Sequence, residues 1–190
     1  MSTTIPGGRV QLHLQQSAEE VFEPEFLRDV PLIRFAAYRA NDRLFGWVRL
    51  RESRLTDLLN ACDSISLENV EVSDFARGSV RAIEHAVVRR EELVAIHASG
   101  PRGDAIQRRP TNTAPVAVWA GNYLIAGRLH LAPGDEPVES FHRRAPMVPL
   151  TEAWIEYWSG EERPHRSTGT IIVNRNLVEL VRPFGSPPRR

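Results

Sequence analysis

The chain contains no lysine. All 24 basic residues are arginine, balanced by 24 acids, so the net charge is zero and no overall field draws the protein to nucleic acid or to an anionic membrane. Loss of lysine throughout reads as the composition bias of a GC-rich genome rather than as a binding device. Cysteine is nearly absent. Cys62 stands alone, which excludes an intramolecular disulfide and makes a reducing cytoplasm the expected compartment. No run approaches the ~20 apolar residues of a membrane helix. The first 14 residues lack the basic and apolar regions of a signal peptide.

Catalytic and cofactor signatures are missing too. His13, His85, His97, His130, His142 and His165 are scattered, with none of the spacings that converge three or four ligands on a metal. Gly-x-Ser-x-Gly, Gly-x4-Gly-Lys and Gly-x-Gly-x-x-Gly do not occur, leaving hydrolase, P-loop and dinucleotide readings without a foothold. No metal, no cofactor and no enzymatic activity are expected. An enzyme reading would need a site between the halves around Asp57, His130 and His142.

What the chain does contain is a pattern that occurs twice. Leu44-Phe45-Gly46-Trp47-Val48-Arg49-Leu50 lines up with Ile125-Ala126-Gly127-Arg128-Leu129-His130-Leu131 at a spacing of 81. Leu55 and Leu58 match Val138 and Phe141 at 83, and residues 66–72 match 149–155 at 83. Residues 87–96 then match 171–180 at 84. Ordered blocks with a slow drift are what a duplicated fold with short loop insertions leaves behind.

Each copy reads as two strands, a short helix, then two or three strands. The first pair turns at Asn41-Asp42 or Gly121-Asn122, both hairpin chemistry. Leu55, Leu58 and Leu59 share one helical face. The closing segment breaks at Arg90-Glu91 or Arg175-Asn176. The expected fold is mainly β (α+β): two tandem small β-barrel-like repeats, each with one short helix, closed so as to hide their edges. The expected boundaries are a leader over 1–29, repeat one over 30–98, a linker over 99–113, repeat two over 114–182 and a disordered tail over 183–190. The leader carries one strand near residues 9–14, a short helix from Ser17, and a faint echo of a third copy.

The closing strand, turn and Leu-Val step are similar to the last strand pair of Sm-like and SH3-like barrels. Gly46-Trp47-Val48-Arg49-Leu50 followed by Arg54-Leu55-Thr56-Asp57-Leu58-Leu59-Asn60 resembles a family of small bacterial domains known only as a domain of unknown function. That resemblance implies a fold and a bacterial origin, and no activity.

Two polar or aromatic groups stand out as candidate sites. Asp57 and Asn60 could line a ligand pocket. The alternative reading, that Thr56 or Asp57 caps the helix and Asn60 ends it, is preferred because the second copy drops these residues. In Glu152-Ala153-Trp154-Ile155-Glu156-Tyr157-Trp158, a strand places Ala153, Ile155 and Tyr157 on one face and Trp154, Glu156 and Trp158 on the other. Trp154 and Trp158 are thus candidate partner-binding residues, covering the other repeat, the leader or a second protein. These features favour a non-enzymatic assembly module, its partner a protein or another copy of itself. The alternative is a nucleic-acid or nucleotide binder using Arg102, Arg108 and Arg109, since residues 99–113 carry three arginines against one acid.

Overall fold

Residues 30–101, 111–157, 165–167 and 169–184 are described by the structure, a computed structural model. The chain divides at Val30 and Pro31 into two units, and every element below belongs to the second. The leader, Arg102, Arg108, Arg109, Trp158 and residues 185–190 lie outside the described residues.

Alternating apolar side chains build the first hairpin. In β1 (Leu32–Tyr38), Ile33, Phe35 and Ala37 are buried, and in β2 (Asp42–Arg49) Leu44 and Val48 are. The turn between them is pinned by Arg39, whose guanidinium donates to both carboxylate oxygens of Asp42 at 2.8 and 2.7 Å and to Glu92 at 3.0 Å. Those bonds raise its pKa further. Helix α1 (Leu55–Ala61) buries Leu55, Leu58 and Leu59. The expected Thr56 or Asp57 cap does not form: the residue at the cap position is Arg54, with no side-chain bond to the helix, and Asp57 pairs with the Arg54 guanidinium at 2.8 Å. A strong ion-pair partner three residues back takes the carboxylate that capping would have used.

Then follow β3 (Ser64–Asp74), β4 (Val80–Arg89), a 3-10 turn (Arg90–Glu92) and β5 (Ala95–His97). The turn is the break expected at Arg90-Glu91. The second half runs β6 (Asn112–Ala120), β7 (Tyr123–Leu131), α2 (Pro137–Arg143), β8 (Met147–Tyr157), β9 (His165–Ser167), β10 (Thr170–Asn174), a 3-10 turn (Arg175–Leu177) and β11 (Leu180–Pro183). Gly121, at φ +54, supplies the left-handed residue of the β6–β7 turn. Helix α2 does have a cap: the Glu136 carboxylate accepts from the Val138 and Glu139 N–H groups. Strand β6 begins inside the span expected to be linker, and β11 ends one residue into the expected tail.

The protein is mainly β with two short helices, but its strands do not close into two small barrels. They form one open antiparallel sheet in the order β11-β6-β7-β8-β10-β5-β1-β2-β3-β4, with β9 beside β8. The edges that closure would have hidden, β10 of the second half and β5 of the first, pair with each other instead. Within that path the halves run β5-β1-β2-β3-β4 and β11-β6-β7-β8-β10, the same internal order.

The repeated glycine now has a cause. Both β2–β3 and β7–β8 shift register there, between Phe45 and Trp47 and between Ala126 and Arg128. Opposite each shift sits a non-glycine residue at φ 49, Asn69 and Glu152, the local kink of a bulge. The bulge presses the two strands together. A Cβ on Gly127 would lie 2.9 Å from the Ala153 Cβ and 3.0 Å from the Leu150 Cβ, whereas one on Gly46 would meet the Glu68 carbonyl at 3.1 Å. Gly127→Ala is expected to cost about 1–3 kcal/mol through overpacking, and Gly46→Ala less. Urea unfolding of the two variants checks that ranking.

Two clusters form the core. One gathers Leu44, Leu55, Leu59, Leu67 and Val88 of the first half but also takes Met147 and Ile172 from the second. The other gathers Ile125, Leu129, Phe141, Leu150 and Val173 of the second half and takes Tyr38, Val94 and Ala95 from the first. At the β5–β10 joint, successive side chains therefore point into different cores, and both faces are covered.

Candidate functional site: the joint and the open strand edges

The chemistry-bearing side chains of this protein gather at the joint. Ile171, Ile172 and Val173 pair with His97, Ile96 and Ala95. The ladder is extended by Ala98 N–H to the Thr170 carbonyl at 3.0 Å and Asn174 N–H to the Val94 carbonyl at 2.9 Å. The buried Asn174 side chain donates to the Arg90 carbonyl at 3.1 Å and accepts from its own half at the Asn176 N–H. Asn60 reaches across from α1. Its amide nitrogen donates to the Met147 carbonyl at 3.1 Å and its amide oxygen accepts the Met147 N–H at 2.9 Å. The same nitrogen donates to the Thr56 carbonyl at 3.0 Å. Asn60 thus neither ends α1 nor offers a free amide; it stands in for a missing strand neighbour at the start of β8.

All three tyrosines of the chain meet beside the joint. Tyr38 lies 5.1 Å from Tyr157 and 5.7 Å from Tyr123, ring centre to ring centre, with Phe75 5.2 Å from Tyr157. Each hydroxyl is engaged: Tyr38 with His97 Nε2 at 3.0 Å, Tyr157 as acceptor from Arg43 at 3.2 Å, and Tyr123 as donor to the Arg39 carbonyl. Burial, with Tyr38 second, drives the Tyr123 phenol well above its ordinary pKa, so it stays a neutral donor. Three rings whose hydroxyls all bond protein groups form an adhesive between halves.

Among the described residues the halves meet along β10 and β5 and through the Tyr157 face of β8. Trp154 is half-buried and packs edge-on against Phe184 at 6.3 Å, a neighbour from its own half. Sequence reasoning placed Ala153, Ile155 and Tyr157 on the buried face correctly. It missed the tyrosines because they lie far apart in sequence, at opposite ends of three strands.

The residues of the enzyme reading have separate partners. Asp57 pairs with Arg54, His130 bonds Thr111 and Thr151 at 3.0 and 3.1 Å, and His142 packs on Phe141. No group of three or more His, Cys, Asp or Glu able to hold a metal occurs among the described residues. No helix among them is long and apolar enough to cross a membrane.

At the two ends of the sheet, β4 and β11 each have one neighbour and one open edge among the described residues. Among the described residues, three of the five exposed large apolar side chains lie on these two strands: Val80 at 64%, Val87 at 69% and Leu180 at 54%. Comparison with protein-family models, curated proteins and solved structures finds no match.

Proposed function

We propose that the protein is a non-enzymatic assembly module built from a tandem duplication, which takes up other protein strands at the open edges of its sheet. The observation that carries this reading is the placement of Val80, Val87 and Leu180 on edge strands. An apolar edge strand with unpaired backbone groups is a template for strand addition and an aggregation hazard if left bare. Edges of that kind are usually blunted by charge or proline; β4 carries Arg81, Glu84 and Arg89 and β11 ends at Pro183, yet Val80, Val87 and Leu180 stay bare beside them. The shared pairing order of the halves, the matched bulges and the matched 3-10 turns support duplication.

Native mass spectrometry of the full chain at low ionic strength tests it. The wild type is expected above the mass of one chain, as a multimer or with a protein retained. A bare single chain would overturn the reading, and salt-sensitive binding of single-stranded RNA would move the balance to the nucleic-acid alternative.

A further inference from the structure

The joint inside the chain shows what the outer edges are shaped to meet. The 3-10 turns at Arg90–Glu92 and Arg175–Leu177 correct the spacing over the closing strands from the expected 84 to 85, which makes β4 the counterpart of β10 and β11 the counterpart of β5. The joint pairs a β10 with a β5. It leaves open one β4 and one β11, the same two kinds of edge.

The side chains follow the backbone. Ile172, fully buried, is the residue of β10 that crosses into the first half's core, and Ala95, also fully buried, is the residue of β5 that crosses into the second half's core. Their counterparts are Val87 and Leu180, at 69% and 54% exposure. The positions that insert into a neighbouring core at the joint are thus apolar and bare at the ends. We infer that a second copy of this chain is the partner: β4 of one chain adds to β11 of the next, Val87 opposite Val181 as Ile172 lies opposite Ile96. This rests on the assembly reading and names its partner.

In that register Arg89 faces Glu179, an opposite-charge cross-strand pair. Both reach solvent: the exposed Arg89 bonds the exposed Glu91 at 2.8 Å and the half-buried Glu92 at 3.1 Å, both of its own turn. Glu179 accepts a single backbone bond from Gly121. Val87 would enter the core that Leu177, Val178 and Val181 already cover in part. The outer contact is weaker than the inner one for two reasons. Pro183 occupies the place of Ala98, whose N–H serves Thr170, so the outer ladder stops one bond short. Arg143 occupies the place of Asn60, so no amide bonds the backbone of Ser64 as Asn60 bonds that of Met147. The inner joint is permanent and the outer one reversible.

A contact between two different edges is head-to-tail and propagates to a ring or a filament. That gives a test no self-complementary dimer can imitate. Val87→Arg spoils only the β4 edge and Leu180→Arg only the β11 edge, and both side chains are exposed, so the fold tolerates the charge. Light scattering of the purified full chain is expected to show multimers of three or more chains for the wild type and single chains for each variant. An equimolar mixture of the two variants is expected to give a one-to-one pair, because each retains the edge the other lost. Multimeric wild type with no pairing in the mixture would overturn the head-to-tail contact and leave an assembly module. A single-chain wild type retaining a different protein would do the same. A bare single chain would remove both.

Discussion

Ile172→Ala is expected to destabilise the protein by about 2–5 kcal/mol, the range for truncating a fully buried isoleucine. The corresponding truncation at its counterpart, Val87→Ala, is expected to stay within about 0.5 kcal/mol at concentrations where the chain is single. Both residues sit on a strand of the same pairing order, at the same step before the 3-10 turn, and the sequence alone gives no reason to separate them. Only the tertiary neighbour differs: Ile172 is covered by the first half's core and Val87 by nothing described. Urea unfolding with matched samples measures both. A cost below about 1 kcal/mol for Ile172→Ala would mean that the halves are not held by burial across β10 and β5.

Asn60→Ala is expected to cost roughly 2–4 kcal/mol, because it strips the partners from both the N–H and the carbonyl of Met147, and each unsatisfied buried group costs about 1–3 kcal/mol. Met147 is buried at the start of β8, and water cannot easily replace the amide there. Asn60→Asp keeps the acceptor for the Met147 N–H but turns a carboxylate oxygen toward the Met147 and Thr56 carbonyls, where the amide nitrogen had donated. That repulsion raises the carboxyl pKa in the folded state, so this variant should regain stability as pH falls through the raised value and a proton restores the donor. Equal stability of Asn60→Asp at acid and neutral pH, relative to wild type, would show that the amide nitrogen does not carry the contact.

The sequence foretold the elements closely because each rests on local chemistry. Alternation of apolar residues gave β1 and β2, turn residues gave both hairpins, and the i, i+3, i+4 leucines gave α1. The spacing of Gly46 and Gly127 marked a need that recurs in both halves: a strand too close to its neighbour for a Cβ. Asn60 was noticed as a motif residue and misread as a helix end, since its true partner lies 87 positions away. The aromatic strand was split into its two faces correctly, and the role of Tyr157 in joining the halves went unseen.

What the sequence by itself determined is the elements of each half, its strands, helix and turns, set by periodicity and by residues within a few positions of one another. What only the tertiary structure decided is how the halves finish their edges. An edge strand exposes the same backbone groups to any partner, and its sequence does not name the partner. The choice of β10 for β5, rather than closure of each half on itself, was made by Ile172, Ala95, Asn60 and three tyrosines fitting across a distance the sequence does not display.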